Sequence, residues 1–377
     1  MLAIQKWLAE GKPDRKAVNK FLEQHSFPLV EGRNVTFVFH GRADQANLRH
    51  FVFGLPSVQP LTRVDGTDLW YHTLDIPPNS RVEYKIERVI GADHEWMMDP
   101  LNPKVAHDPY GANSVCQGEG YEAPEWAEPD EEARAGEIEE VQVERPHVSG
   151  EGRARVYLPA RFRRSRRYPL LIVHDGTDFV RYASLKVVLD NLIHRLEIAP
   201  MIVALTDSSA RLEEYAAHEG HARFLTEQLV PELGKRYPLI DAPASRGLMG
   251  ASFGGVAALH TAWKNPGFYG RLLLQSGSFA FSDIGHHGRS PLFDSVASFV
   301  NGFREEPGRP SERVFQSCGT YESLIYENRS LFPLLQTTGM DVRFVEARDG
   351  HNWENWRDRL REGLCWLFPG PLWMVYE

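Results

Sequence analysis

The chain reads Arg246-Gly247-Leu248-Met249-Gly250-Ala251-Ser252-Phe253-Gly254-Gly255 where a short apolar run gives way to a stretch with helical character. The deciding feature is the spacing Gly250-x-Ser252-x-Gly254. A serine that is pushed out on a strained turn clashes with the residues two positions away on either side unless their side chains are very small, and glycine is the smallest. The spacing therefore predicts a tight strand-to-helix turn that presents the Ser252 hydroxyl.

This arrangement is typical of the nucleophile elbow of α/β-hydrolases. It predicts that Ser252 is a nucleophile and that the backbone amide of Phe253 is an oxyanion donor. A glycine-rich turn with a surface serine would fit the same pattern, because only three of its five positions are fixed. The flanking strand and helix, and the partners found further along the chain, favour the elbow.

Length and composition limit the classes of protein to consider. A chain of 377 residues is long for a single domain and predicts two. The formal net charge of −9 argues against a general nucleic-acid binder. The three cysteines, Cys116, Cys318 and Cys365, are far apart and have no metal-ligand spacing. We therefore expect no disulfide framework, no metal site and no cofactor.

The N-terminus begins with apolar residues at helical spacing, but this pattern breaks at Glu10 and Gly11. It lacks the uninterrupted apolar region of a secretion signal, and no run approaches the length of a membrane span. We therefore expect a cytoplasmic protein that binds neither nucleic acid nor a membrane and whose partner is a small molecule. The sequence does not indicate an oligomeric state.

Shifts in composition divide the chain into four parts. Residues 1–29 predict a helical segment, and residues 30–118 alternate in the short runs typical of an all-β, immunoglobulin-like sandwich. Residues 119–135, which are rich in Glu, Pro and Ala, predict a solvated linker. In residues 136–377 apolar runs alternate with helical stretches, which predicts an α/β-hydrolase domain with a mainly parallel sheet covered by helices.

The sandwich is predicted to contain strands over residues 35–40, 51–53, 69–74 and 82–87. It is also rich in aromatic residues, among them Trp70, Tyr71, Trp96 and Tyr110. These side chains could form a platform that stacks on sugars. Core packing and turn formation are favoured, because a small sandwich needs large side chains inside.

A serine nucleophile needs a general base, which in α/β-hydrolases comes last in the order serine, acid, histidine. His351 follows the apolar run at residues 342–345 and precedes the last helical stretch, which is where the base belongs. The other histidines after the serine fit less well. His260 lies two turns into the helix of the elbow, and His286 and His287 lie in an insertion that could form a lid.

The acid should follow the preceding strand, and Glu322 lies just past the apolar run at residues 314–317. A carboxylate there can accept a hydrogen bond from Nδ1 of His351 and fix its tautomer. A glutamate at a helix N-terminus is also favoured by the helix dipole alone. Asp349 and Asp294 remain alternatives.

The second oxyanion donor should come from the loop after the apolar run at residues 169–174. That loop reads Asp175-Gly176-Thr177-Asp178. Gly176 lets the backbone turn, and the amide of Thr177 is the predicted donor.

Several stretches together resemble the enterochelin (enterobactin) esterases, part of a larger esterase group that includes feruloyl esterases and mycolyltransferases. The resemblance covers nearly the whole chain. The stretches that carry it are Val35-Thr36-Phe37, Gly66-Thr67-Asp68-Leu69-Trp70-Tyr71, Asp99-Pro100-Leu101-Asn102-Pro103, Asp175-Gly176, Gly250-Ala251-Ser252-Phe253-Gly254-Gly255, Gln275-Ser276-Gly277-Ser278-Phe279, Cys318-Gly319-Thr320 and Gly350-His351-x-x-x-x-Trp356.

The resemblance implies that the nucleophile, acid and histidine of the family fall on Ser252, Glu322 and His351, and its oxyanion loop on Gly176-Thr177. The chain departs from the family at Ala251, where glutamine or leucine is commoner. It also has Thr177-Asp178 where a glutamine and a tryptophan are frequent. These departures leave the hydrolytic residues in place and bear on the substrate.

The implied activity is hydrolysis of the ester bonds of a catecholate siderophore trilactone, in the cytoplasm, to release iron. Such a substrate is anionic, so Arg211, after the run at residues 201–206, is a predicted substrate-binding residue together with Asp178. Arg211 fits a solvated loop charge equally well. The alternatives are a carbohydrate or feruloyl esterase whose sandwich binds glycan, and a noncatalytic glycan- or siderophore-binding protein on a hydrolase fold.

Overall fold

The computed structural model describes residues 1–146, 148, 152–281 and 291–371, and the chain forms two compact units. The first unit contains Met1–Ala123 together with two short segments from later in the chain, Gly319–Ser323 and Ala347–Asn352. The second unit contains the other described residues from Pro124 onward.

The first unit begins with two short helices, α1 at Ala3–Ala9 and α2 at Arg15–Gln24. Helix α2 starts where the Asp14 side chain accepts a hydrogen bond from the Ala17 amide at 2.8 Å, which satisfies one of the open amides of the first turn. Its apolar face buries Val18 and Phe21 in a small cluster with Ile4 of α1. The N-terminal segment is therefore packed onto the unit rather than extended into solvent.

The rest of the first unit is all-β, as predicted. Its strands are β1 Leu29–Glu31, β2 Asn34–His40, β3 Gln45–His50, β4 Val58–Pro60, β5 Thr62–Arg63, β6 Leu69–Asp75, β7 Arg81–Ile90, β8 Asp93–Met97, β9 Val105–Asp108 and β10 Gly111–Gln117. They form a four-stranded sheet in the order β1-β2-β6-β5 and a six-stranded sheet in the order β4-β3-β7-β10-β9, with β8 paired to β7. The neighbouring strands of both sheets pair antiparallel.

Two details of this unit differ from the sequence predictions. Residues 51–53 are not a strand, because pairing with β7 ends at His50 and the amide of Phe53 donates to Tyr321 O at 2.8 Å. Trp70 is 6% exposed and Tyr110 lies in the turn between β9 and β10, in line with core packing and turn formation, but Trp96 of β8 is 51% exposed. Contacts with groups elsewhere in the sequence decide both the end of the strand and the exposure of the aromatic side chains, and a local sequence pattern does not contain these contacts.

The second unit is built on a sheet of eight strands in the order β11-β12-β14-β13-β15-β16-β17-β18. The strands are β11 Glu137–Gln142, β12 Arg153–Leu158, β13 Leu170–His174, β14 Ile202–Thr206, β15 Arg246–Ala251, β16 Arg271–Gln275, β17 Arg313–Gly319 and β18 Asp341–Ala347. Strands β14, β13, β15, β16 and β17 pair in parallel, and the pairs β11–β12 and β12–β14 are antiparallel. The predicted mainly parallel sheet is confirmed.

Helices accompany this sheet, as predicted. They are α3 Gly176–Tyr182, α4 Leu185–His194, α5 Arg211–Glu214, α6 Glu219–Arg223, α7 Val230–Arg236, α8 Phe253–Lys264, α9 Phe293–Glu305, α10 Ile325–Thr337 and α11 Trp353–Leu367. Among the residues that the structure describes, no helix is both long enough and apolar enough to cross a membrane.

The central strands are apolar on both faces, because successive side chains of a strand point in opposite directions. Leu248 of β15 and Leu272 of β16 belong to one buried cluster, and their neighbours Met249 and Leu273 belong to another. A strand buried on both sides appears in the sequence as a continuous apolar run, as these do.

The segment predicted as a solvated linker is fixed to the second unit by Trp126, which is 7% exposed. Trp126 lies in a 3₁₀ turn at Glu125–Ala127 and packs in the same buried cluster as Leu192 of α4. The side-chain amide of Asn191 donates to the carbonyls of Trp126 and Glu128 at 2.9 and 2.8 Å. The predominantly polar composition of the segment predicts a solvated linker and does not reveal this apolar anchor.

Replacing this anchor should destabilise the second unit. Trp126→Ala removes a buried indole and leaves a cavity, so we expect a loss of about 3 kcal/mol in the free energy of unfolding. Chemical denaturation of the full-length protein measures the loss, and Glu131→Ala, an exposed position in the same segment, serves as the control. Equal stability of the two variants would contradict an anchoring role for Trp126.

Candidate active site

Ser252 lies between β15 and α8 with φ 57° and ψ −122°. Residues with a Cβ rarely adopt this conformation, which costs of the order of 1–3 kcal/mol and persists only where the surroundings impose it. Here the Ser252 amide donates to Gln275 O at 2.9 Å, and the Ser278 amide donates to Ser252 O at 3.2 Å. The serine is therefore held in the strained turn that the sequence predicts.

Close contacts exclude a side chain at Gly250 and leave little room for one at Gly254. A Cβ on Gly250 would lie 2.2 Å from Gly254 O, and a Cβ on Gly254 would lie 3.1 Å from Cβ of His174 in β13. At Gly250, strand β15 and helix α8 thus approach each other more closely than a side chain would permit. This approach allows the chain to reverse direction at a single residue.

The groups around the Ser252 hydroxyl are defined by this turn. Phe253 is the first residue of α8, so its amide has no carbonyl of the same helix to bind. Such an amide can serve as an oxyanion donor, as predicted. The Ser252 hydroxyl lies 3.3 Å from Oγ of Ser278, a residue to which the sequence pattern gives no role in the site.

Glu322 and His351 lie together in the first unit, in the segments that follow β17 and β18. His351 Nδ1 lies 2.5 Å from Oε2 of Glu322, and the other carboxylate oxygen accepts the Gly319 amide at 2.7 Å. A carboxylate partner assigns the proton to Nδ1, so Nε2 of the neutral ring can accept a proton. The pair has the composition and geometry of a general base with its orienting acid.

The alternative acids have other partners or positions. The Asp349 carboxylate accepts hydrogen bonds from Gly350 N at 2.7 Å and from the Asn352 side chain at 2.8 Å. Burial raises the pKa of Asp349 to about 6, although the Arg81 guanidinium opposes this shift. Asp294 is exposed in the first turn of α9.

Of the three alternative histidines, the structure describes one, which packs in the core. His260 is 4% exposed and packs against Phe299 with ring centroids 5.0 Å apart. Burial lowers the pKa of His260 to about 3. His286 and His287 lie outside the described residues.

The predicted oxyanion loop forms the start of helix α3. Asp175 has a left-handed backbone with φ 54°, whereas Gly176 is required because a Cβ there would lie 2.5 Å from Cα of Leu205. The Thr177 amide donates to Asp207 Oδ1 at 3.0 Å. To bind an oxyanion, this amide would have to exchange the carboxylate of Asp207 for the substrate.

The two predicted substrate-binding residues lie near the same loop. Arg211 donates two hydrogen bonds to the Asp175 carboxylate, at 2.8 and 2.7 Å, and its side chain is 34% exposed. Burial and the neighbouring carboxylates of Asp175 and Asp207 raise the pKa of Asp178. The positive charge of Arg211 is thus already matched by an acidic side chain.

A buried polar chain next to the elbow was not foreseen. His174 Nδ1 lies 2.9 Å from Met249 O in β15, and its Nε2 lies 3.1 Å from Nε2 of His221. His221 in turn lies 3.3 Å from the Glu214 carboxylate, which pairs with Arg145 at 2.6 Å. Arg145, His174 and the segment with Glu214 and His221 are far apart in the sequence, and no sequence motif connects them.

Among the described residues, no cluster of three or more His, Cys, Asp or Glu side chains could hold a metal ion.

A family model described as "Putative esterase" matches residues 147–367. This match covers more than half of the chain, and the chain therefore belongs to this family of carboxylic ester hydrolases. The matched residues include Ser252, Glu322 and His351.

The chain is 22% identical over 334 residues to the iron(III) enterobactin esterase of Escherichia coli O6:H1 (strain CFT073), a match that covers 82% of this chain and 81% of that protein. A crystal structure of the enterobactin esterase from Shigella flexneri in the presence of enterobactin matches with a TM-score of 0.70 and 20% identity, over 89% of this chain and 92% of that one. A ferulic acid esterase structure matches with a TM-score of 0.54 and 19% identity, over 62% of this chain and 98% of that one. The predicted fold class and the resemblance to enterochelin esterases are confirmed.

The elbow geometry predicts a strong effect of one added methyl group. Gly250→Ala places a Cβ against backbone that cannot move independently, so Ser252 must shift, and we expect kcat on a p-nitrophenyl ester to fall about 100-fold. Gly234→Ala is the control, since a Cβ there meets no atom within 4 Å and alanine favours the helix. Wild-type kcat in a folded Gly250→Ala protein would contradict the close contact.

Proposed function

We propose that the chain hydrolyses carboxylic esters with Ser252 as nucleophile, His351 as general base and Glu322 as the residue that orients His351. The main support is the strained backbone of Ser252 at the strand-to-helix turn, together with the short bond between His351 Nδ1 and Glu322. Strands β15, β17 and β18 belong to one sheet, and each of these residues follows the end of one of them. In α/β sheets, reactive groups gather in such positions.

The proposed reaction has two steps. Oγ of Ser252 attacks the ester carbonyl carbon while its proton passes to Nε2 of His351, and the carbonyl oxygen becomes an oxyanion that accepts from the Phe253 amide and a second donor, for which Thr177 is the candidate. The carbon–oxygen bond to the alcohol breaks, and the alcohol leaves with the proton held by His351. Water then attacks the acyl-serine by the same route and releases the acid and free Ser252.

For the substrate we propose a catecholate siderophore trilactone, with or without bound iron, hydrolysed in the cytoplasm. The observation that carries this proposal is the extent of the matches. The enterobactin esterase structure covers 89% of the chain, including both units, whereas the ferulic acid esterase structure covers 62%. A carbohydrate or feruloyl ester is the second candidate, because the fold of the second unit is compatible with it.

A substrate screen tests this proposal. Purified protein should hydrolyse ferric or iron-free enterobactin with a higher kcat/KM than methyl ferulate, a feruloylated sugar or p-nitrophenyl acetate, because remote contacts contribute to transition-state binding only with the larger substrate. The Ser252→Ala protein is the control and should be inactive on all of them. A preference for the feruloyl esters would favour the second candidate, and binding without turnover of any ester would favour a noncatalytic protein.

The roles of His351 and Glu322 predict unequal effects of their replacement. His351→Ala should lower kcat about 10⁶-fold, as loss of the nucleophile does, because the members of a triad act as a unit. Glu322→Gln should lower it about 10⁴-fold, since the histidine keeps a neighbour but loses the charge that fixes its tautomer. Initial rates on p-nitrophenyl acetate measure both. Full activity of Glu322→Gln would exclude Glu322 as the acid.

A further inference from the structure

The segments that carry Glu322 and His351 are bonded to each other and belong to the first unit. The Thr320 amide donates to Ala347 O at 2.7 Å, and the Tyr321 amide donates to Asp349 O at 3.0 Å. We name residues 319–323 the acid loop and residues 347–352 the histidine loop. Their mutual bonds fix the backbone immediately before Glu322 to the backbone two residues before His351.

Arg81, the first residue of β7, holds the histidine loop from the sandwich. Its side chain is fully buried, and its backbone amide donates to Arg348 O at 2.9 Å. The guanidinium donates to Asn352 Oδ1 at 3.0 Å and to Asp349 Oδ1 at 3.3 Å. Asp349 and Asn352 flank the segment that contains His351, so Arg81 fixes the loop on both sides of the base.

The carboxylate of Asp349 extends this anchor inside the loop. It accepts the Gly350 amide at 2.7 Å and the Asn352 side chain at 2.8 Å, so a single buried oxygen, Oδ1, collects three donors. On the other side of the guanidinium, Glu83 accepts from Arg81 at 2.9 Å. Asn113 donates to the second oxygen of Glu83 at 2.8 Å and ties this end to β10.

The acid loop has its own bonds to the sandwich. The Tyr321 hydroxyl lies 2.6 Å from the Ser80 hydroxyl, one residue before Arg81, and Tyr321 O accepts the Phe53 amide. Adjacent residues of the sandwich therefore hold the two loops, Ser80 through Tyr321 and Arg81 through Asp349 and Asn352.

A buried arginine is costly to desolvate, and replacing a buried ion pair by apolar residues is often neutral or stabilising. Stability alone therefore does not account for this network. A catalytic hydrogen bond, by contrast, must be held within about 0.5 Å of its working geometry by groups that are themselves fixed. The bond between His351 and Glu322 joins the two loops that the network immobilises.

We propose that Arg81 is a positioning residue that sets the geometry of the His351–Glu322 pair through Asp349 and Asn352. The inference rests on the proposed function, since it assigns Arg81 a role in the catalytic step that His351 and Glu322 carry out. Residues of the sandwich thereby contribute to the rate of the chemistry and not only to binding of a large substrate.

The test compares Arg81→Gln with Arg49→Gln in the full-length protein. Arg49 also belongs to the sandwich and also makes a two-bonded ion pair with a buried carboxylate of β7, that of Glu87, at 2.8 and 2.7 Å. Its hydrogen bonds to described residues do not reach either loop. Arg49→Gln therefore matches the loss of a sandwich ion pair without the loss of the anchor.

We expect Arg81→Gln to lower kcat on p-nitrophenyl acetate about 10- to 100-fold with KM nearly unchanged, because a small ester makes few contacts that the variant could remove. The rate at which a fluorophosphonate labels Ser252 should fall by the same factor, since labelling also needs His351 as base. Arg49→Gln should leave both rates within about two-fold of wild type. Equal losses in the two variants, or a wild-type kcat in folded Arg81→Gln, would overturn the proposal.

Tyr321→Phe keeps the test decisive if Arg81→Gln does not fold, because it removes only the hydroxyl that binds Ser80. We expect a kcat loss of several-fold and a weakened, broadened low-field proton resonance of His351 Nδ1–H in the NMR spectrum. Unchanged kcat and resonance in Tyr321→Phe would count against positioning by the sandwich. The readouts are p-nitrophenyl acetate hydrolysis and NMR, so the test remains valid even if the siderophore is not the substrate. If the fluorophosphonate does not label Ser252 in the wild-type protein, the proposed function itself fails.

Discussion

The close approach of β15 and α8 is the constraint on which the second unit depends. The chain reverses at Ser252 because neither Gly250 nor Gly254 carries a side chain, and helix α8 can then pack directly on the sheet. The ten residues from Phe253 to Ala262 are all buried. A helix enclosed to this degree cannot tilt or slide to relieve strain at its first turn, and so the left-handed backbone of Ser252 is maintained. The packing energy of the core thus supports the backbone geometry of Ser252.

The parts that could be predicted from sequence are those whose physical cause is local. The elbow depends on residues two positions apart, and the central strands appear as apolar runs because both of their faces are buried. The same reasoning placed Glu322 and His351 after successive strands, and these residues are in contact. Two predictions from local sequence were wrong. The short apolar run at residues 51–53 is not a strand, and the segment predicted as a solvated linker is held by the buried side chain of Trp126.

Side-chain partners that are distant in sequence could not be predicted in this way. Arg211 is 36 residues from Asp175, and the Thr177 amide is 30 residues from Asp207, yet each of these pairs is bonded. The sequence alone does not show whether the charge of an arginine is already paired with a carboxylate in the folded protein. Because Asp175 already binds Nε and Nη2 of Arg211, recognition of an anionic substrate by Arg211 would require this ion pair to open or to share the guanidinium.

The irregular segment after β3 follows from the way in which the acid loop is held. An alternating run such as Phe51-Val52-Phe53 would ordinarily extend a strand, but a paired strand would commit the Phe53 amide to a neighbouring strand. In the structure that amide binds Tyr321 O, one residue from Glu322, and Phe51 is left 65% exposed. At the point where the backbone of the sandwich binds the acid loop, regular strand pairing is therefore absent and the Phe51 side chain is not buried. The hydrophobic pattern fails here because the hydrogen bond to Tyr321, and not strand pairing, determines the position of this backbone.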